Sequence, residues 1–152
     1  MPKLDLDAIA EKGGTGYPAE HAAITLGRFR KRLGDAGGLT QFGVNLCRIE
    51  PGSGSSIRHW HHNEDEFVYV LSGEVVLCED GGETLMRPGE AATFKAGVAN
   101  GHNFVNRSNA DAVILEVGSR MADEIAEYPD IDLRAVKEAG VGWYTRRDGS
   151  KF

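Results

Sequence analysis

From residue 40 to residue 117 the chain breaks into short strand-like runs divided by turn signals, and this cadence limits the fold more than any other feature of the sequence. The runs fall at 40–49, 55–59, 66–71, 74–78, 83–86, 91–94, 102–106 and 110–117. Short strands at such regular spacing mean a sandwich, a jelly roll or a small barrel. Asp80-Gly81-Gly82, between Val75-Val76-Leu77-Cys78 and Glu83-Thr84-Leu85-Met86, marks a hairpin, since tight turns demand a positive φ that glycine adopts without strain. Pro88-Gly89 marks another turn, proline presetting the first central φ and glycine accepting the second. The twenty glycines, with frequent Val, Thr, Phe and Tyr in short runs, speak against a helical bundle. Glycine lowers helix stability by about 1 kcal/mol relative to alanine.

The 152 residues fit one domain, and a chain of this size hides roughly 68–70% of its extended surface on folding, enough for a core without staples. The flanks read differently from the middle. Residues 4–12 predict a short amphipathic helix with Leu4, Ala8 and Ile9 on one side, stopped by Gly13-Gly14. Gly34-Asp35-Ala36-Gly37-Gly38 reads as a loop. After Gly118 the pattern predicts helices again at 121–127 and 133–139, with Gly140 as a stop. The tail from Trp143 to Gly149 is aromatic enough to lie against the domain or a second subunit. The expected organisation is an N-terminal extension over 1–39, an all-β barrel over 40–118 and a C-terminal helical extension over 119–152.

The formal charge of −6 argues against a nucleic-acid partner, which would need a basic stripe. The densest basic cluster, Arg28-Phe29-Arg30-Lys31-Arg32, is a single short run and reads as a solvated surface segment. Cys47 and Cys78 form no CxxC pair and lie inside apparent strands, so they read as small packed hydrophobes. The acidic start, Met1 to Asp7, lacks the apolar centre of a secretory signal, and no run approaches the roughly 18 apolar residues of a membrane span. A soluble cytoplasmic protein is expected.

The stretch His59-Trp60-His61-His62-Asn63-Glu64-Asp65-Glu66 carries the chemistry. Side chains two residues apart on a strand share a face, so His59 and His61 can aim their imidazoles into one cavity while Trp60 points away. Glu66 can add a carboxylate from the neighbouring strand, and Glu64 would replace it if the register differed by two residues. His102, opening a later run, can return to the same place as a fourth ligand. Three imidazoles and one carboxylate suit a divalent transition metal ion, whether zinc, iron, manganese or nickel, and leave positions open for water, substrate or dioxygen. His21 stands alone and reads as a surface or packing residue.

These residues resemble the two motifs of the cupin superfamily. The first motif is a glycine, a short spacer, His-x-His, three or four residues, Glu, six residues and Gly; Gly54, His59, His61, Glu66 and Gly73 follow it, with a spacer one residue shorter than usual after Gly54. In the second, Gly89, Lys95-Ala96-Gly97, His102 and Asn106 keep the order, with Lys95 in place of proline and four residues instead of two before His102. The resemblance covers about residues 40–118 and implies a double-stranded β-helix, a jelly-roll barrel, that pairs as a homodimer. Exposed barrel edges such as 40–49, which need covering, point the same way.

A shared fold is weak evidence about reaction. The resemblance implies sugar-phosphate isomerases, dioxygenases, decarboxylases, lyases, sensors and storage proteins alike. One expectation is a metalloenzyme, of isomerase or dioxygenase type, acting on a small, oxygen-rich, anionic metabolite. Arg48, Arg58 and Lys95 are then candidate partners for the anion, Arg48 only if Leu46 and Val44 also face inward. Glu64 or Tyr69 could serve as acid or base near the mouth. The alternative is a non-catalytic binding or sensor module, which would need a protein partner because the chain has no helix-turn-helix region.

Overall fold

The computed structural model describes residues 2–152. After two 3-10 turns (Ala19–His21 and Ala23–Thr25) come β1 (Arg28–Arg32), a single helical turn α1 (Leu33–Ala36), β2 (Phe42–Ile49), β3 (Trp60–His61), β4 (Glu66–Ser72), β5 (Val75–Glu79) and β6 (Gly82–Met86). Then follow β7 (Ala91–Phe94), β8 (Asn103–Val105), β9 (Ala112–Ser119), β10 (Glu124–Tyr128), β11 (Leu133–Glu138) and β12 (Val141–Thr145). One sheet has the order β1-β2-β9-β4-β7, a second β6-β5-β8 and a third β12-β11-β10-β3, all paired antiparallel. Isolated bridges Gly54–Val105 and His59–His102 tie the segment before β3 to β8, so the second and third sheets meet along it. The chain is an antiparallel jelly-roll barrel with very little helix.

The inner face of the five-stranded sheet changes character along its strands, and that change makes the site. At one end Cys47 and Ile49 of β2, Val68 and Val70 of β4, and Ala112 and Ile114 of β9 are buried against Val75, Leu77, Met86 and Phe104 of the opposing sheet. Because the side-chain period of a strand is two, the same faces run on to Asn45, Glu66 and Glu116. The register sets Asn45 beside Glu116 and Glu116 beside Val68, with Glu66 opposite Gly118. One end of the roll is therefore packed hydrocarbon, and the other is a polar hollow in the same wall.

Two residues of the family pattern serve the fold rather than the chemistry. A side chain at Gly73, where φ is 69°, would put its first carbon 2.5 Å from the Asp111 carbonyl oxygen, so only glycine lets β4 turn into β5 there. The fully buried Asn106 donates its amide to the carbonyls of Ile49 (2.8 Å) and Ala110 (2.7 Å) and accepts from Ser108, closing the loop before β9.

Both terminal regions differ from expectation. Residues 4–12 form turns, not a helix, and end in a bridge between Lys12 and Arg30 that continues the outer edge of β1. Neither 121–127 nor 133–139 is helical; they hold β10 and β11, which with β12 and β3 form a sheet of their own. Helix-favouring Ala, Glu, Lys and Leu are overridden by pairing, and burial alternates along β10 with Glu124, Ala126 and Tyr128 inward. The aromatic tail lies in β12, where Tyr144 packs with Tyr17 and Ile57 on Ala126, Tyr128 and Leu133. The 40–49 run is not a free edge, because β1 pairs with β2 from Asn45 to Ile49. The basic run 28–32, read as solvated surface, is β1 itself, and Arg28 in it is buried. No helix among the described residues is long and apolar enough to cross a membrane.

If the C-terminal sheet is an integral part of the fold, truncating its fully buried Leu133 will register as a global loss. Leu133→Ala is expected to lower unfolding free energy by about 2–5 kcal/mol in a single denaturant transition. A separate early transition, with the main one unchanged, would contradict this.

Candidate metal centre and substrate cavity

His59 and His61 flank Trp60 and share a face, as the pleat requires; Trp60 turns to the other side and stacks on His62 at 4.6 Å. The bridge between His59 and His102 holds the two residues by paired backbone bonds of 3.1 and 2.9 Å and sets their ring centroids 5.0 Å apart. Glu66 opens β4 with its side chain inward. Its Oε2 lies 2.8 Å from His102 Nε2, 3.5 Å from His61 Nε2 and 3.7 Å from His59 Nε2. His59, His61 and Glu66 form a group whose ligand atoms lie within 4.8 Å of one another, a spacing that could hold a metal ion. His102 is drawn to the same oxygen and is braced by Phe94, whose ring lies parallel at 3.5 Å.

The remaining ring nitrogens show how the donors are oriented. His59 Nδ1 lies 2.8 Å from the Ile57 carbonyl and His102 Nδ1 lies 3.2 Å from that of Asn100. Carbonyls only accept, so both Nδ1 atoms carry a proton and both Nε2 atoms are turned toward Glu66. His61 is different: its Nδ1 is buried without a hydrogen-bond partner among the described residues. It faces Glu124 Oε1 at 3.7 Å and Glu64 Oε2 at 4.0 Å. Glu124, buried on β10, is held by backbone N–H groups of His62 (2.8 Å), Asn63 (2.9 Å) and Ile125 (2.9 Å). A carboxylate behind the outer nitrogen of a ligating histidine is the usual way of fixing its tautomer. The donor set therefore fits a divalent transition metal, and the orphaned His61 nitrogen is met by acids placed to complete it.

The protonation balance agrees. Burial pushes His59 down to about 4, against the pull of Glu66, so its imidazole is neutral at ordinary pH. Burial also opposes charge on His61, but Glu66 on one side and Glu124 and Glu64 on the other outweigh it and raise its pKa. Burial would raise Glu66, yet its contacts with His102 and His61 hold it well below the ordinary carboxylate range. An ionised carboxylate among imidazoles is a ready set of metal donors.

The group opens into a cavity of about 530 Å³ in the polar end of the roll. Its walls include Tyr17, Arg28, Arg30, Glu64, Glu116 and Lys137. Glu64 accepts from the Met121 N–H at 2.8 Å and pairs with Lys137, and lies on the outer side of His61 while Glu66 holds the inner one. Tyr69 alternates to the outer face of β4 and does not line this cavity.

The cations expected from sequence lie elsewhere. Arg48 is on the outer face of β2, since Cys47 and Ile49 take the inner one, and it pairs with Glu11, Glu50 and Asp111 over the Phe29 ring. Arg58 is clamped by Asp80 and Asp130, and Lys95 is exposed beside an outer groove with Asp65 and Phe67. Cys47 is buried and its thiol is pushed well up by that burial, as befits a packing residue; Cys78 is half-buried and also free. His21 is partly buried against Phe152 and Glu20.

Comparison with known proteins puts this geometry in context. A cupin domain family model matches residues 45–118. A sugar phosphate isomerase of a cupin superfamily from Silicibacter pomeroyi is 52% identical, with 99% of this chain and 96% of that one aligned at a TM-score of 0.95. This chain belongs to the cupin superfamily. A second structure, from Acidithiobacillus ferrooxidans and provisionally given the same activity, is 33% identical over 82% of this cupin and 80% of its own chain, TM-score 0.75. A polyketide cyclase from Streptomyces resistomycificus shares the fold alone, at 19% identity over 78% of this chain and 79% of that one, TM-score 0.60. Among curated proteins none matches the sequence.

The matched segment of this cupin runs only from residue 45 to residue 118, yet β1 before it and β10 and β11 after it supply Arg28, Arg30, Glu124 and Lys137 to the site. Sequence reasoning missed all four. The x-Arg-x-Arg-x-Arg alternation of 28–32 is the period-two signal that could have placed three guanidinium groups on one face; Glu124 and Lys137 carried no such sign.

Glu124→Gln keeps the shape of the buried side chain but removes the charge behind His61. It is expected to weaken binding of zinc or manganese by about 10–100-fold, read by competition with a chromophoric chelator. An unchanged affinity would show that Glu124 does not act through His61.

Proposed function

We propose that this cupin is a metal-dependent isomerase acting on a small, oxygen-rich, anionic sugar derivative, in the manner of the phosphorylated sugars named for its relatives. The observation that carries this reading is the convergence of three Nε2 atoms on one ionised carboxylate at the wall of a cavity that also holds a separate acid–base pair, Glu64 with Lys137. The 52% identity and near-complete coverage of a protein named as a sugar phosphate isomerase support it.

His59, His61, His102 and Glu66 would hold the metal. When bound, a divalent ion there polarises a carbonyl and acidifies a neighbouring hydroxyl of the sugar. Aldose–ketose interconversion moves one proton between adjacent carbons and one between their oxygens, with no net oxidation. Glu64 is the carboxylate assigned to the carbon-bound proton: it faces the cavity, and its contacts with Lys137 and the Met121 N–H fix its orientation. Tyr17, Tyr128 and Tyr144 pack together beside His59, with Tyr128 5.7 Å from the His59 ring, and keep that side of the imidazole cluster out of water. Of the two enzyme classes expected from sequence, isomerase is favoured because this pair offers a proton carrier next to the ligand group.

Incubation with phosphorylated aldoses, followed by analysis of the ketose product, tests the reading. Turnover should require a metal found by elemental analysis of the protein as purified, and a chelator should abolish it. His61→Ala should lose both metal and turnover, whereas Glu64→Gln, assayed at saturating metal, should lose about 10²–10⁴-fold in kcat. Full activity in Glu64→Gln would remove it from the mechanism, and ligand binding without any product would remove the isomerase reading.

A further inference from the structure

Five cationic side chains line the cavity: Arg28, Arg30, Arg32, Arg120 and Lys137. They concentrate positive charge in one hollow of a chain whose net charge is −6. Most are already paired. Lys137 pairs with Glu64, Arg32 and Arg120 approach Asp35, and Arg30 makes a forked pair with Glu116 at 2.7 and 2.8 Å. Arg28 is the exception. It is 8% exposed, and its hydrogen bonds go only to the backbone carbonyls of Ser55 (2.8 Å) and Gly14 (3.1 Å), with no carboxylate pairing it among the described residues.

A buried guanidinium without a counter-ion is costly unless something else neutralises it. Arg30 aggravates the cost, since it donates to the same Ser55 carbonyl at 3.2 Å and brings a second guanidinium to one point while Glu116 balances only one of the two. Burial and this neighbour both act against the charge on Arg28. The Arg30 fork is taken by Glu116, but Arg28 gives only two of its N–H groups to carbonyls, and the others, beside an open cavity, suit a tetrahedral oxyanion, which takes several N–H donors at once.

We infer that Arg28, with Arg30 beside it, is the receptor for the phosphate group of the substrate, a subsite separate from the imidazole cluster. The assignment rests on the isomerase reading only for the identity of the molecule that carries the phosphate. The two subsites are built on one segment. Ser55 anchors both arginines, the next residue, Ser56, reaches His59 Nδ1 at 3.3 Å, and His59 itself belongs to the ligand group. A phosphorylated sugar is therefore held at its anionic end by Arg28 and presents its oxygens to the His/Glu group, so the spacing between subsites selects chain length as well as charge.

The test uses the full chain with its metal and inorganic phosphate as probe. Arg28→Lys keeps the charge but loses the fork; calorimetric titration should show its phosphate Kd raised at least about tenfold over wild type, with metal content unchanged. KM for a phosphorylated sugar should rise by a similar factor, and KM for the same sugar without phosphate should not move. In the wild-type protein, the Arg28 Nε–H signal in a 15N NMR spectrum should shift as phosphate is added, which decides the matter even if the variant does not fold. Equal phosphate affinity in wild type and variant, or an Arg28 signal unmoved at saturation, overturns the subsite. Phosphate binding through Arg28 without turnover of any phosphorylated sugar sinks the isomerase reading and leaves the subsite standing. Turnover with an Arg28 indifferent to phosphate does the reverse.

Discussion

The two backbone hydrogen bonds between His59 and His102 hold the site together. They are one isolated bridge, not part of a long ladder, yet they bring residues 43 positions apart into register and set two imidazoles on the same spot. Everything nearby presupposes that bridge. The next residues, Trp60 and His61, leave it to pair with Glu127 and Ala126 of β10, so the same short segment serves the opposing sheet on one side and the C-terminal sheet on the other. Glu66 then arrives from the five-stranded sheet across the hollow.

Electrostatics and burial are in tension here, and the balance explains the design. Desolvation works against charge on His59, His61, Glu66 and Arg28 alike. For Glu66 the facing imidazoles of His102 and His61 win, and its carboxylate stays ionised despite burial. For His61 the acids on both sides win. For Arg28, among the described residues, no carboxylate pairs with the buried charge, and its hydrogen bonds go to the Ser55 and Gly14 carbonyls. Uncompensated charge of this kind tends to mark a functional surface, since folding alone gives no reason to bury it.

The middle of the chain was legible because it obeys a two-residue period. The 91–94 run coincides with β7, and the runs at 66–71, 74–78, 83–86 and 110–117 fall within one or two residues of the observed strands. The run at 55–59 became a bridged segment, because its serines and Ile57 serve the arginines, the histidines and Tyr17 in place of a ladder. The C-terminal strands were hidden for a physical reason. Glu124 occupies an inward position that an apolar residue would have advertised, and Ala, Glu and Lys around it favour helix locally. Arg28, Arg30 and Arg32 alternated in plain view, but a basic run looks solvated until its strand is known to wall a cavity. Arg48 failed as an inward candidate for the same kind of reason, the phase of β2 being set by Cys47 and Ile49.

Turn glycines, period-two runs and the spacing of His59, His61, Glu66 and His102 are local properties of the chain, and they suffice to specify a roll with a set of candidate metal donors. Which charges meet is settled by the packing of distant strands. Glu124 stands behind His61, Lys137 grips Glu64, and Arg28 faces the cavity without an acid. These are encounters between strands far apart in the chain. They depend on the register of pairing and the phase of each strand, and a shift of one residue in either would turn the same side chains to solvent.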